Sequence, residues 1–321
     1  MIPSVVLAPL AGGPSTPELA AAVANAGGLG FVAAGYLRPD AFAEQLAQAR
    51  TLTDRVLGAN VFVLEERQVD AEALAVYTKE LESEGELGEA RFDDDWLEEK
   101  VAAAIAGGVS VLSTTFAPPP SWVVDAAHAA DVQVWATVAG TEDAKTALAA
   151  GADVLVAQGA EAGGHRAGFD DGDERDVPLL DLLAQVRGLG VPVVAAGGIV
   201  DRASADAARA AGATAVQAGT AFLLCPEAGT YPVHRAALKE AGATAVTRAF
   251  TGRRARGIVN RFMRDHPDAP SAYPHIHHLT APLRAAARAT GDHERVNLWA
   301  GTRFADAREV AARDVVAALQ P

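Results

Sequence analysis

One pattern constrains the fold of this chain more than any other: an alanine-rich amphipathic stretch runs into Gly, and a short β-branched run follows at once. It occurs at Asn25-Ala-Gly-Gly-Leu-Gly-Phe-Val32, Ala106-Gly-Gly-Val-Ser-Val-Leu112, Ala150-Gly-Ala-Asp-Val-Leu-Val156 and Ala211-Gly-Ala-Thr-Ala-Val-Gln217. Gly supplies the left-handed residue that ends a helix, and the apolar run after it reads as a strand covered on both faces. Repeated helix-to-strand joints describe βα units. Strands are expected at Val5 to Leu10, Gly30 to Ala34, Val56 to Val63, Val109 to Thr114, Val132 to Thr137, Asp153 to Gln158, Val191 to Ala195 and Ala215 to Ala218. Eight parallel strands with helices between them close most naturally into an α/β fold of the (β/α)8, or TIM, barrel type. The helix expected over Pro17 to Ala26 is well specified, because Thr16 can cap it, Pro17 suits its first turn and Glu18 complements its dipole.

Two stretches fall outside the repeat. The acidic segment 65–100 reads as a helical insertion, and everything after residue 225 reads as a helical cap beside the barrel mouth, leaving 1–64 and 101–225 for the barrel. Within the cap, helices are expected over Pro226 to Ala241, Thr244 to Arg264, Ala281 to Thr290 and Arg303 to Leu319, with a Pro- and His-rich loop from Pro267 to His278. The charge run Glu80 to Lys100 reads as a solvated helical face. A length of 321 residues accommodates a barrel with these additions.

Charge and composition exclude several roles. Lys and Arg number 27 against 41 Asp and Glu, a net charge of −14 with no basic stripe, which argues against nucleic acid as a partner. The single Cys225 has no pairing partner and fits a reducing cytoplasm. The N-terminal run lacks the basic flank of a signal peptide, and no apolar run approaches the roughly 18 residues of a membrane span.

In a barrel of this kind chemistry sits at the C-terminal ends of the strands, and the loops after strands seven and eight commonly hold a phosphate. Here both are glycine-rich: Ala195-Ala-Gly-Gly-Ile199 and Gln217-Ala-Gly-Thr-Ala-Phe222. Backbone N–H groups at such glycines approach phosphate oxygens, and Thr220 adds a hydroxyl donor. After strand six comes Gln158-Gly-Ala-Glu-Ala-Gly-Gly-His-Arg-Ala-Gly168, which sets His165 at the mouth as a candidate acid, base or anion partner. The acidic run Asp170 to Asp176 behind it lacks the Glu that completes a calcium loop and reads as a solvated lid. His266, His275, His277 and His278 lack a helical i, i+4 ligand pair, so no metal site is assigned. Asn60 and Gln158 end their strands with amides that suit the uracil-like edge of a flavin or the base of another ligand.

The run Ala8-Pro-Leu-Ala-Gly-Gly-Pro-Ser-Thr-Pro-Glu18, continuing to Phe31, resembles the opening motif of class I nitronate monooxygenases, formerly called 2-nitropropane dioxygenases. Gly58-Ala-Asn-Val-Phe62, the Gly-Gly-His loop, the two glycine-rich loops, Ala249 to Gly257, Asn260-Arg-Phe262 and Leu298-Trp-Ala-Gly301 are similar to the same family in series. The resemblance implies FMN bound non-covalently by Ala8, Pro9, Leu10, Asn60, Gln158, Gly163, Gly197, Gly198, Gln217, Ala218, Gly219 and Thr220. It further implies oxidation of alkyl nitronates of the propionate 3-nitronate type by O2, giving a carbonyl compound and nitrite, in a cytoplasmic monomer or homodimer. His165 would be the catalytic and substrate-binding histidine, with Tyr273 lining the substrate pocket. Three departures bear on substrate choice: Leu10 where Met is usual, Thr115 where many members place a second histidine, and Thr302-Arg303 where Gln is common. Flavin reductases that use NADH share the barrel and the Gly-Gly-His loop, and a flavin-binding module without turnover is the third reading.

Overall fold

The computed structural model describes residues 1–240 and 242–321, so the end of the helical stretch expected through Ala241 lies outside the described residues. Its strands, in chain order, are β1 (Val5–Leu7), β2 (Gly30–Ala33), β3 (Leu57–Phe62), β4 (Val111–Thr115), β5 (Gln133–Val138), β6 (Val154–Gln158), β7 (Gly164–His165), β8 (Val193–Ala196), β9 (Ala215–Ala218), β10 (Thr244–Thr247) and β11 (Ala255–Ile258). Eight of them form one parallel sheet in the order β1-β9-β8-β6-β5-β4-β3-β2. The sheet closes on itself through the Val6–Leu29 bridge, where Leu7 N–H donates to Leu29 O and Leu29 N–H to Val5 O, both at 2.9 Å. The (β/α)8 barrel expected from the sequence is therefore the fold.

The joint glycines do what the pattern requires: Gly27, Gly108, Gly151 and Gly212 all have φ between +67° and +109°. The first helix, α1 (Pro17–Asn25), starts where Thr16 Oγ1 accepts from Leu19 N–H at 3.0 Å. Inside the barrel Val6, Leu29, Phe31, Trp135, Val154, Val156 and Val194 pack together, while their strand neighbours Val5, Leu7, Leu155 and Val193 face the helices. A Cβ at Gly58 would lie 2.7 Å from the Phe31 ring, so glycine there is what lets Phe31 fill the interior.

The additions differ from expectation in several respects, among them the helix expected over Pro226 to Ala241, which is confined to Pro232–Ala237 among the described residues. Only α3 (Ala71–Leu81) is helical within 65–96, and the next helix, α4 (Leu97–Ala106), belongs to the barrel wall. Lys100, expected on a solvated face, is instead fully buried and paired with Asp95 at 2.7 Å, because α4 turns that side chain into the protein. Thr244 to Arg264, expected as helix, is the β10–β11 hairpin followed by α10 (Arg261–Asp265); the β-branched Thr244, Val246, Thr247 and Ile258 favour strands over helix. The last helix, α12 (Ala312–Leu319), packs its Val315, Val316 and Leu319 with the α1 residues Leu19 and Val23, which makes it the eighth barrel helix instead of part of a cap. The added lobe is thus inserted between the last strand and the last helix. Its long helix, α11 (His275–Thr290), begins six residues earlier than expected.

Removing one partner of a buried ion pair strands the other in a low-dielectric site. Lys100→Met is expected to cost about 3–5 kcal/mol of stability, measured by urea unfolding; a loss below about 1 kcal/mol, the value of a surface pair, contradicts this account of the segment.

Candidate active site

A cavity of about 540 Å³ opens at the C-terminal ends of the barrel strands. It is lined by every residue singled out in the sequence for cofactor or catalysis, with the exception of Tyr273, which stands behind Phe116 and His165. Glycine-rich turns build one end. Gly197 and Gly198 have φ of +116° and +67°, and the backbone N–H groups of Gly197, Gly198 and Gly219 meet no protein acceptor among the described residues. Thr220 Oγ1 accepts from Gly301 N–H at 3.0 Å, which leaves the hydroxyl proton to donate. Unspent donors on side-chain-free backbone suit a phosphate. A Cβ at Gly163 would instead strike the Ala300 carbonyl carbon at 2.4 Å, so that glycine serves the close approach of the lobe to the loop.

The two amides differ. Asn60, buried in β3, donates through Nδ2 to the Ser113 carbonyl, to Ser113 Oγ and to Thr115 Oγ1, at 2.8–3.2 Å, and its Oδ1 accepts from no protein group among the described residues. Thr115, one of the departures noted in the sequence, is thus a partner of Asn60. Gln158 engages both ends of its amide inside the chain: Nε2 donates to the His165 carbonyl at 3.1 Å and Oε1 accepts from Ala167 N–H at 2.9 Å. It fastens the loop to the end of β6.

That loop is tied down on its other side as well. β7 pairs antiparallel with β11, His165 opposite Ala255 and Gly164 opposite Arg256. Arg166 is buried and donates to the carbonyls of Gly159, Ala160 and Ala162, and buried Arg253 donates to those of Arg166 and Gly168. The acidic run expected as a solvated lid is strapped to the hairpin: Asp171 accepts from Arg248 at 3.2 Å, from Arg254 N–H at 3.1 Å and from Ser271 at 2.7 Å, and Asp176 pairs with Arg254 at 3.3 Å.

His165 therefore stands on a rigid support. Its Nε2 lies 2.9 Å from Thr251 Oγ1, whose hydroxyl donates to the Arg253 carbonyl at 3.3 Å. The threonine oxygen is then left to accept Nε2–H, and Nδ1 keeps a lone pair. Phe116, Tyr273 and Trp299 surround the imidazole with ring centroids 5.6–5.7 Å away. Burial, reinforced by the charge of Arg253, pushes its pKa down to about 3, so the ring is neutral at physiological pH. Phe116 holds φ +87°, a strained value for a bulky residue, clamped by Phe62 and by the Arg253 guanidinium 4.3 Å from its ring centroid.

Several lining residues are absent from the sequence reading. Tyr36 follows β2, donates its N–H to Asp95 and stacks on His277 at 4.1 Å, while Tyr273 donates to its hydroxyl at 3.3 Å. The buried pair Asp95–Lys100 thus fixes a tyrosine of the pocket. Tyr36 and Phe116 could have been found from their places just past β2 and β4; Arg284 and Arg288 come from the lobe and carry no local signal, while Thr251 and His277 enter the sequence reading only inside a family block and a histidine-rich loop. Three of the four tail histidines take separate partners: His277 stacks on Tyr36, His278 pairs with Asp93 at 2.9 Å and His266 packs on Phe262. No group of three or more possible metal ligands occurs among the described residues, and none of their helices is long and apolar enough to cross a membrane.

A loop-borne, desolvated histidine and a glycine-rich set of unspent donors share one cavity at a barrel mouth, the arrangement of a barrel enzyme. The family model for nitronate monooxygenase matches residues 1–321. The chain belongs to the nitronate monooxygenase family, a group of flavin-dependent oxidoreductases. Among curated relatives, a nitronate monooxygenase of Pseudomonas aeruginosa is 38% identical, covering 98% of this chain and 94% of its own length. A probable nitronate monooxygenase of Bacillus subtilis is 35% identical over 92% of this chain and 89% of its own. Among solved structures, nitroalkane oxidase from Streptomyces ansochromogenes is 44% identical with a TM-score of 0.95, covering 98% of this chain and 94% of its own. FabK from Thermotoga maritima is 26% identical with a TM-score of 0.76, covering 98% and 91%.

Buried neutral histidines make stability depend on pH. His165 and His234, the latter held down to about 4 by burial, bind protons only well below the ordinary value near 6.5. Between about pH 4 and 6.5 the unfolded chain binds more protons, so stability rises with pH across that window and is fully present above it. The urea midpoint is expected to fall as pH drops from 6.5 to 4, with a shallower fall in His165→Asn.

Proposed function

We propose that this chain binds FMN in the cavity and oxidises alkyl nitronates with O2 to a carbonyl compound and nitrite. The observation that carries the reading is the pairing of one cavity's two ends. Unspent donors at Gly197, Gly198, Gly219 and Thr220 fit a phosphate, and neutral His165 in its aromatic enclosure stands at the other reactive group. Asn60 Oδ1 and the side chain of Gln217, which has no protein partner among the described residues, remain for the polar edge of the cofactor. Gln158 supports the loop through one N–H and one oxygen lone pair, and keeps a second N–H and a second lone pair on the cavity side of β6 for the same edge. When bound, the flavin takes electrons from the substrate and hands them to O2.

The protein's own residues do the rest. Phe116, Tyr273 and Trp299 exclude water around the imidazole. Thr251 holds Nε2–H, so Nδ1 is the atom that receives a proton from the α-carbon of a neutral nitroalkane. A nitronate arrives without that proton, so toward it His165 positions instead of acting as a base. Supporting the substrate class are the nitronate monooxygenase relatives and the nitroalkane oxidase neighbour.

Anaerobic addition of ethyl nitronate is expected to bleach the flavin absorbance of the purified protein, and air to restore it with release of nitrite. Bleaching by NADH alone would move the chain to a reductase role, and absence of flavin would defeat both. In His165→Asn, turnover of neutral nitroethane is expected to fall by about 10²–10⁴, the range of a lost general base, and turnover of ethyl nitronate by much less. Equal losses on the two substrates, or no loss on either, would remove the base assignment, and bound flavin with no turnover of either substrate by wild type would leave a binding module.

A further inference from the structure

The cavity wall contributed by α11 holds a charge that the reading so far does not use. Arg284 is 7% exposed and lines the cavity. Its Nε donates to Thr280 Oγ1 at 3.0 Å and its Nη2 to the His277 carbonyl at 2.7 Å. No protein acceptor is found for Nη1, and no carboxylate pairs with the guanidinium, among the described residues. One turn further along the same helix face Arg288, also lining the cavity, sits 5.0 Å above the Tyr231 ring, again without a carboxylate.

Among the other buried cations of the region, Lys100 has Asp95 and Arg254 has Asp176, while Arg166 and Arg253, which also lack a carboxylate and each keep one nitrogen without an acceptor among the described residues, donate to backbone carbonyls and do not line this cavity. Arg303, the remaining arginine of the lining, is held by Asp201 and Asp306 at 2.7 and 2.8 Å. In a chain of net charge −14, no Asp or Glu lines the cavity among the described residues. A desolvated guanidinium with an open donor in an acid-free cavity is costly unless an anion completes it. The cofactor phosphate is accounted for elsewhere, by the glycine turns after β8 and β9. Arg284 belongs to the lobe side, where its helix neighbour His277 stacks on Tyr36, Tyr36 meets Tyr273, and Tyr273 stands 5.6 Å from the His165 ring.

We propose that Arg284 anchors a planar oxyanion head group in the substrate half of the cavity, and so makes the site prefer an anionic nitronate to its neutral nitroalkane conjugate acid. The identity of the head group rests on the function proposed above; the anion preference itself does not. A guanidinium presents two N–H donors in a fork that matches a planar two-oxygen anion, and a nitronate shares that shape and charge with a carboxylate. Arg288, nearer the surface on the same helix face, extends the positive field toward the entrance.

The test uses two shape-matched probes, propionate and the neutral propionamide, titrated calorimetrically into the flavin-loaded full-length chain. Wild type is expected to prefer propionate by about 30-fold or more, the low end of the cost of truncating one partner of a buried charge pair. Arg284→Met is expected to lose that preference, and Arg284→Lys, which keeps the charge and loses the fork, to retain part of it. Equal binding of the two probes by wild type, or unchanged discrimination in Arg284→Met, overturns the proposal. If Arg284→Met misfolds, Arg284→Lys alone decides, since an unaltered preference there denies the fork any role. Nitrite release from ethyl nitronate by wild type is scored separately. Discrimination with no nitrite release keeps the anion anchor and defeats the nitronate reading, whereas nitrite release with no discrimination defeats the anchor alone.

Discussion

The pairing of His165 and Gly164 with Ala255 and Arg256 is the joint on which the site depends. A barrel strand ends at Gln158, and the seven residues to His165 include three with no side chain or only a methyl group before the Gly-Gly step. Left alone, such a segment would sample many conformations, each residue gaining on the order of 1 kcal/mol in backbone entropy. Two ladder positions, the two amide bonds of Gln158 and the fans of carbonyls around Arg166 and Arg253 remove that freedom. What results is a histidine carried by a loop with the rigidity of a sheet, and a single Nε2 partner that settles its tautomer.

Arginine does this work repeatedly, in two distinct ways. Arg248 and Arg254 hold the acidic run through Asp171 and Asp176, so the −14 net charge is not spread evenly but is locally balanced where the chain must be ordered. Arg166 and Arg253 are held by carbonyl dipoles instead of carboxylates, and their remaining positive charge adds to the burial that keeps the imidazole uncharged. The segment Arg248 to Arg256 is therefore both clamp and electrostatic boundary, and its four arginines are read more usefully as partners of the 159–176 loop than as a basic patch.

How much of this was legible depended on where the information lies. The barrel was written in local signals: glycine at each helix-to-strand joint, β-branched runs, Thr16 before Pro17. The strands accordingly fall within a few residues of their expected places, and Ala215–Ala218 coincides with expectation. The glycine cradle and His165 were legible because a parallel barrel fixes which strand ends face the site. The lobe was not. Thr244 to Ile258 carries enough Ala and Arg to look helical, and its antiparallel partnership with β7, far away in sequence, adds to the β-branched residues and the β10–β11 ladder in holding it as a hairpin. Lys100 was misread for a related reason: a lysine in an acidic stretch is ordinarily solvated, and burial followed from Asp95, whose left-handed φ of +57° no pattern announces. Gln158 shows a different limit: its place at the cavity was legible from the end of β6, but its bonds to the His165 carbonyl and Ala167 N–H depend on how the following loop folds back.

The insertion of the lobe between β9 and α12 explains why the two halves of the cavity can be tuned separately. Both ends of the inserted segment are held by barrel elements, since Thr220 accepts from Gly301 on the way out and α12 packs beside α1 on the way back. The glycine end is made by strand-terminal turns that cannot shift without disturbing the barrel. The opposite wall is made by His277, Arg284, Arg288 and Trp299, which reach the cavity from the lobe. A change among these leaves the backbone amides at Gly197, Gly198 and Gly219 in place. Thr115 illustrates the boundary between the halves: from the barrel side it braces Asn60 at the cavity wall, whereas Arg284 reaches the same cavity on an element the barrel does not constrain.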